Sequence, residues 1–216
     1  MTDELLEAIW RAGLVLLGER VQAEYGLHTP IFIDLRHKLY EDVELLEMLG
    51  QALHRRIGEV VGNPPPRPQQ ILGIPDTATP LALAAAIASV STGLPLVYSQ
   101  LRKRPAAYPG GASGSSAFMG TYRPEREVTL IDDVMASGRS KLWAIEQLAR
   151  DGIPVARILV VVDREQGGDE ILAARGYSIY SLYTVSRMLD YFVATGKVAE
   201  DTARAALDHL QSKRFC

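Results

Sequence analysis

The chain has very little cysteine, no long apolar run and almost no net charge. Its one cysteine among 216 residues is Cys216, so no disulfide can form within the chain, and a reducing, cytoplasmic setting is expected. No apolar run approaches the roughly 18 residues that a transmembrane helix requires. The N-terminal sequence MTDELLEAIW starts acidic and does not predict a signal peptide. A formal net charge of -3 indicates neither a nucleic-acid partner nor a membrane partner.

The sequence does contain enough apolar material for a core. Hydrophobic residues make up 47%, and a length of 216 residues suits a single domain over 1–216. Short apolar runs alternate with helical patterns in its central part, which indicates a parallel sheet covered by helices on both faces. The predicted strands cover residues 30–35, 70–74, 94–99, 128–131, 158–162 and 177–183.

The segments between these runs predict helices and one long connection. Asp42 is a candidate N-cap for a helix whose leucines recur at helical spacing. An alanine-rich helix is expected over residues 80–90, and closing helices are expected over 186–216. Residues 105–120 are rich in glycine, serine and alanine. This composition fits a flexible linker, and it equally fits a lid that excludes water from a site.

The most informative stretch is VTLIDDVMASGRS, at residues 128–140. Here an apolar strand leads into Asp132 and Asp133, and a short loop with Ser137 and Gly138 precedes a helix. At the carboxyl end of a parallel strand, loop N–H groups and a helix N-terminus can bind an anion, and a glycine permits close approach of a phosphate. The two carboxylates can accept hydrogen bonds from two ribose hydroxyls. The pattern favours a ribose-phosphate site over its alternatives, an ordinary βα turn or the acidic pair of a phosphoacceptor domain.

This stretch resembles the 5-phosphoribosyl 1-diphosphate (PRPP) signature of the type I phosphoribosyltransferases. The resemblance implies that Asp132 and Asp133 hold the ribose, that Asp133 also serves catalysis, and that the following loop cradles the 5-phosphate. It assigns PRPP binding to Asp132, Asp133, Val134, Met135, Ala136, Ser137, Gly138, Arg139 and Ser140, with Arg102 and Lys103 from a second segment. The fold that it implies is α/β, with a central, mostly parallel sheet flanked by helices. The expected parts are a small N-terminal hood over 1–62, a PRPP-binding core over 69–185 and C-terminal helices over 186–216.

Three further segments resemble orotate phosphoribosyltransferase in particular. TPIFIDLR, at residues 29–36, resembles the segment that enters the orotate pocket and implies orotate contacts for Phe32 and Ile33. GIPDTATPLA, at residues 73–82, resembles the loop on the diphosphate side. Residues 160–191 resemble the last strands of the same enzyme, and together with the PRPP signature these matches extend the resemblance along nearly the whole chain.

Arg164, in VDREQGG, matches the arginine that the resemblance assigns to the orotate carboxylate. A guanidinium group suits a planar carboxylate because it can form two parallel hydrogen bonds with it. The residues alone also allow Arg164 a surface ion pair with Asp163 or Glu165.

Several positions depart from the family pattern. Glu24 stands where the family has a lysine near the orotate, and Ala106 stands where the catalytic loop has its second lysine. Ala136 replaces the first hydroxyl residue of the phosphate loop. Arg102 and Lys103 are retained. They are expected to be the catalytic cations, because the departing diphosphate gains negative charge that nearby cations stabilise.

The resemblance implies transfer of the phosphoribosyl group from PRPP to orotate, giving orotidine monophosphate and diphosphate in pyrimidine (UMP) biosynthesis. Mg²⁺ is expected to arrive with PRPP and to have no direct protein ligand. A homodimer is expected, in which the catalytic loop reaches the partner's site. The alternatives are a phosphoribosyltransferase for another base, which Glu24 would suit, and a PRPP- or nucleotide-binding regulatory protein, which Ala106 would suit.

Overall fold

A six-stranded sheet is the main element of the computed structural model, which describes residues 3–19, 21–22, 26, 28–62, 64–107 and 115–215. The strands are β1 (Val15–Leu17), β2 (Ile31–Ile33), β3 (Gln69–Gly73), β4 (Leu96–Ala107), β5 (Ser115–Met119), β6 (Glu127–Met135), β7 (Val155–Asp163) and β8 (Ser178–Thr184). The order in the large sheet is β5-β4-β3-β6-β7-β8. Strand β5 runs antiparallel to β4, and the other neighbouring pairs are parallel. The predicted α/β class with a mostly parallel sheet is confirmed.

Helices cover both faces of this sheet. They are α1 (Asp3–Arg11), α2 (Val43–Val61), α3 (Ala78–Ala88), α4 (Arg139–Arg150), α5 (Gly168–Ala173), α6 (Val185–Ala194) and α7 (Glu200–Ser212). The predicted cap of α2 is confirmed, since the Asp42 carboxylate accepts a hydrogen bond from the Leu45 N–H at 2.9 Å. Helices α2 and α3 pack closely where Gly50 meets Ala84. A Cβ on Gly50 would lie 2.6 Å from the Ala84 backbone, so the glycine permits this approach.

The core has two parts, one on each side of the sheet. In β6, Leu130 packs with the side chains of α4 on one face, and Ile131 packs with those of α2, α3 and the N-terminal and C-terminal helices on the other. Ile71 and Leu72 of β3 alternate in the same way. Burial of both faces of the sheet therefore explains why the strand sequences are almost continuously apolar. None of the helices in the described ranges combines the length and apolarity needed to cross a bilayer.

Three predicted strands are too short, those of β4, β6 and β7. Strand β6 extends through Met135 and contains both acids, because its ladder with β7 continues as far as the pair Met135 and Asp163. Strand β4 continues to Ala107 and pairs with β5, so both ends of the predicted connection over 105–120 are strand. Residues 108–114, where the lid was predicted, lie outside the described residues.

The N-terminal segment adds a small hairpin beside the main sheet. Strands β1 and β2 pair antiparallel, with Leu16 opposite Phe32. After β2 the buried Asp34 accepts hydrogen bonds from the N–H groups of Arg36 and His37, at 2.9 and 3.1 Å. These bonds fix a turn that carries the chain toward the carboxyl ends of the parallel strands.

Candidate active site

A cavity of about 220 Å³ lies at the carboxyl ends of β3 and β6. It is lined by Arg36, Tyr40, Ile74, Pro75, Asp76, Thr77, Lys103, Asp132, Asp133 and Ser140. A wider opening of about 540 Å³ adjoins it, shares Lys103 and Asp76 with it, and adds Arg102. The fold thus brings together four segments that are distant in sequence, as expected for the switch region of a parallel sheet.

Asp132 is fixed in place by its own neighbours. The Asp132 side chain is 7% exposed, and its Oδ2 lies 2.7 Å from the Lys141 ammonium and 3.0 Å from the Ser140 hydroxyl. Its Oδ1 accepts a hydrogen bond from the Asp133 N–H at 2.9 Å. The Ser140 hydroxyl, predicted to bind phosphate, therefore donates its hydrogen bond to the Asp132 carboxylate.

Asp133 has the most perturbed acidity in the cavity. Burial, and after it the adjacent charge of Asp132, raise the pKa of this carboxyl from 3.8 to about 7. A hydrogen bond of 2.7 Å from the Val134 N–H and the charge of Lys141 oppose this rise. The Asp133 carboxyl can therefore gain or lose a proton near neutral pH, which suits a group that meets ligand hydroxyls.

Lys141 is a site residue that the sequence prediction missed. Its side chain is 2% exposed, and its ammonium contacts the Val134 carbonyl as well as Asp132. The signal was present in the sequence, because Lys141 occupies the apolar stripe of α4 together with Ala144, Ile145 and Leu148. A lysine at such a position requires a buried partner.

The phosphate loop, residues 136–140, connects β6 to the start of α4. Gly138 has a φ of 75°, which glycine adopts without strain, and it directly precedes the first residue of the helix. The loop N–H groups therefore lie at a helix N-terminus, where backbone donors attract anions. Met135 differs from its neighbours, since its side chain is buried in the core and its carbonyl accepts the Arg164 N–H at 2.9 Å.

Arg164 lies beside the start of this loop and has no ion pair with its sequence neighbours in the described part of the chain. The Asp163 carboxylate accepts from the Glu165 N–H at 2.8 Å, and the Glu165 carboxylate accepts from the Ser186 N–H and hydroxyl at 2.8 and 2.9 Å. The Arg164 Nε is buried without a hydrogen-bond partner among the described residues, and burial lowers the pKa of its guanidinium. A buried donor of this kind is suited to an acceptor on a ligand.

The N-terminal segment reaches the cavity through residues other than the predicted pair. Phe32 and Ile33 lie in the β1–β2 hairpin, and Ile33 packs against the core. Arg36 and Tyr40, which follow that hairpin, line the cavity instead. Orotate contacts for Phe32 and Ile33 stay a prediction, and the turn after β2 brings Arg36 and Tyr40 to the cavity.

The basic residues on the diphosphate side lie at the mouth of the cavity. The Lys103 ammonium is 3.1 Å from the Asp76 carboxylate, and both side chains are 71% exposed. The backbone of Ala106 belongs to β4, whereas its side chain lies outside the described part. Glu24 also lies outside the described residues.

Comparison with known proteins places this chain among enzymes of nucleotide biosynthesis. No protein-family model matches it. The orotate phosphoribosyltransferase of Halobacterium salinarum is 30% identical over 189 residues, which is 88% of this chain and 97% of that protein.

Solved structures share the fold. The UMP synthase of Leishmania donovani has a TM-score of 0.73 at 23% identity, covering 97% of this chain, which spans 42% of that longer protein. The orotate phosphoribosyltransferase of Mycobacterium tuberculosis H37Rv, solved in complex with PRPP, has a TM-score of 0.61 at 22% identity, covering 86% of this chain and 96% of that one. At these identities the likeness is one of architecture.

Proposed function

Since the chain belongs to the orotate phosphoribosyltransferase family, we propose that it transfers the phosphoribosyl group of PRPP to orotate, giving orotidine monophosphate and diphosphate in pyrimidine biosynthesis. The observation that carries the proposal is the cavity in which Asp132 and Asp133 lie beside a glycine-containing phosphate loop at a helix N-terminus. A cytoplasmic location is part of the proposal, because the chain has one cysteine and needs no oxidising compartment.

The proposed pose of PRPP follows the charges of the cavity. The ribose hydroxyls meet the carboxylates of Asp132 and Asp133, and the 5-phosphate accepts hydrogen bonds from the N–H groups of the phosphate loop. The diphosphate then extends toward Asp76 and Lys103, with Arg102 at the adjoining opening. In this pose the cations are near the leaving group and the acceptors are near the hydroxyls.

The proposed reaction exchanges one bond at C1 of the ribose. Orotate N1 forms a bond to C1 and loses its proton to water, while the bond from C1 to the diphosphate oxygen breaks and its electron pair leaves with the diphosphate. Lys103 and Arg102 stabilise the negative charge that develops on this oxygen. The Lys103 ammonium must leave the exposed Asp76 carboxylate to do so, a small cost because exposed ion pairs contribute little stability.

Mg²⁺ belongs to this proposal as part of the substrate. The described side chains include no group of three or more His, Cys, Asp or Glu residues able to hold a metal ion. The ion is proposed to enter as a complex with PRPP, where it would neutralise charge on the diphosphate. Positioning the ribose remains the task of Asp132 and Asp133.

Orotate is proposed to lie with its carboxylate toward Arg164. The support is the buried Nε, which has no hydrogen-bond partner among the described residues, and the engagement of Asp163 and Glu165 in other hydrogen bonds. A guanidinium with unused donors pairs favourably with a planar carboxylate, and partial burial strengthens that pairing.

A homodimer is proposed as the working form. Three large apolar side chains, Val43, Ile87 and Val90, are 74%, 64% and 81% exposed, and the first two line one groove of about 260 Å³ between α2 and α3. An exposed apolar face of this kind is suited to burial against a second copy. Sedimentation equilibrium should show a dimer, and Ile87→Arg should shift it toward monomer; a monomeric wild type would contradict the dimer.

The function is tested by diphosphate release from PRPP and Mg²⁺ in the presence of a panel of bases. Release with orotate, and little with other bases, is the expected result. Release with a different base, and none with orotate, would identify that base as the acceptor in place of orotate. No release with any base, together with tight PRPP binding, would overturn the enzymatic proposal in favour of a regulatory PRPP-binding protein.

A further inference from the structure

Lys141 occupies a position in α4 that is unfavourable for a lysine. It shares the buried stripe of this helix with Ala144, Ile145 and Leu148 and is 2% exposed. It also lies in the first turn, where the helix dipole disfavours a positive charge. An ammonium group buried without compensation is strongly destabilising, so this position requires specific partners.

Those partners account for all the hydrogen-bonding capacity of the ammonium. Its Nζ lies 2.7 Å from Asp132 Oδ2 and 3.4 Å from the Ser140 hydroxyl, and it donates to the Val134 carbonyl. An ammonium has three N–H donors and meets three acceptors here. Since each donor has a partner within the protein, Lys141 is not suited to bind the ligand itself.

We propose that Lys141 is a positioning residue that acts through Asp132. Its ammonium contacts the Asp132 carboxylate and holds the orientation of that carboxylate beside Asp133, so that the two acids meet the ribose hydroxyls as a preset pair. This inference rests on the proposed function in one respect, that the ligand carries a ribose 5-phosphate group.

The electrostatic reason is the repulsion between two adjacent, poorly hydrated carboxylates. Burial and the charge of Asp132 both raise the pKa of Asp133, and Lys141 is a cation that opposes this effect. Other charged groups face the pair from the elements around it: Arg36, Asp76 and Lys103 across the cavity, and Asp163 from β7. Without Lys141 the pair should hold a proton to higher pH and accept hydroxyl hydrogen bonds less well.

Lys141→Met removes the charge while keeping a long, unbranched side chain. The chain offers a matched control in Lys197, whose ammonium is also 2.7 Å from a carboxylate, that of Glu7, at a position outside the cavity lining. Lys197→Met therefore deletes an ion pair of the same length without touching the acids of the site.

Calorimetric titration of ribose 5-phosphate across neutral pH is the test. Lys141→Met should bind it at least about tenfold more weakly at pH 7. The pH at which half-maximal affinity is reached should rise by about one unit, since the lost cation no longer favours the ionised acids. Lys197→Met should match the wild type in both respects. Wild-type affinity and an unshifted midpoint in a folded Lys141→Met variant would overturn the inference.

A double substitution answers the same question if Lys141→Met does not fold. Asp132→Asn combined with Lys141→Met removes both charges, so that no unpaired charge is left buried. If Lys141 acts through Asp132, the double variant should bind ribose 5-phosphate as Asp132→Asn alone does. A further fall of about tenfold would show that Lys141 acts by another route. Absence of binding by the wild type would instead contradict the proposed function.

Discussion

Gly168 packs against Ala136 so closely that a Cβ on Gly168 would lie 2.2 Å from the Ala136 carbonyl oxygen. The first turn of α5 therefore supports the phosphate loop from behind, and only a glycine leaves that loop in place. Gly168→Ala should displace the loop and weaken PRPP binding at least about tenfold, as measured by titration. Gly58→Ala is the matched control, because its Cβ would meet only the end of Leu94 at 3.4 Å. Unchanged PRPP affinity in Gly168→Ala would show that the loop is not part of the PRPP-binding site.

Arg164→Ala tests the acceptor side of the proposal. Loss of the guanidinium should raise the KM for orotate at least about tenfold and change the KM for PRPP much less, because only orotate presents a carboxylate to it. Arg204→Ala, an exposed arginine paired with Glu200, should leave both values unchanged. An equal rise in KM for the two substrates would show that Arg164 has a structural role instead.

Arg102→Met combined with Lys103→Met tests the cations of the diphosphate side. Removal of electrostatic stabilisation at the leaving group should lower kcat by about 10²–10³. Affinity for ribose 5-phosphate should persist, because Asp132 and Asp133 hold the sugar independently. Lys213→Met, at an exposed lysine outside the cavity lining, is the control. A double variant that still turned over orotate at about 10 per second would assign the charge stabilisation to another group.

Asp133→Asn should change how stability depends on pH. The pKa of Asp133 is raised from 3.8 to about 7, so the folded chain binds this proton more tightly than the unfolded chain does. The associated stability is complete below about pH 4 and is lost as the pH rises through about 7. Between about pH 5 and 8 the wild type should lose roughly 2–3 kcal/mol more unfolding free energy than Asp133→Asn. Denaturant unfolding at both pH values measures this difference in unfolding free energy, with the exposed Asp208→Asn as control. Parallel pH profiles for wild type and Asp133→Asn would contradict a raised pKa of the Asp133 carboxyl.

The sequence predicted the elements of this fold better than their ends. Apolar runs and the Asp42 cap located strands and helices, because burial on both sheet faces and capping leave local patterns. The extension of β6 to Met135 could not be read from those patterns, since pairing with β7, distant in sequence, keeps Asp132 and Asp133 in the strand. The β4–β5 hairpin was missed for a different reason, because the alanine and serine residues that pair in it carry little strand preference of their own.

At the site, the structure brings predicted segments together and adds side chains that the sequence did not single out. The stretch around Asp132 and the loop at residues 73–82 do meet at one cavity. Arg36 and Tyr40 line the cavity because of the turn fixed by Asp34, which only the three-dimensional structure shows. Lys141 was visible as a lysine on an apolar stripe, but its partner Asp132 becomes evident only from the distance between them.

The central claim is that the acids at the end of β6 bind the ribose of PRPP. Its most direct test is calorimetric titration of PRPP with Mg²⁺ into the wild type and into the variant carrying Asp132→Asn and Asp133→Asn. Because the amide groups accept hydroxyl hydrogen bonds less well than carboxylates do, the variant should bind at least about tenfold more weakly, a loss of about 1.4 kcal/mol or more. Equal affinity of the folded double variant and the wild type would contradict the claim.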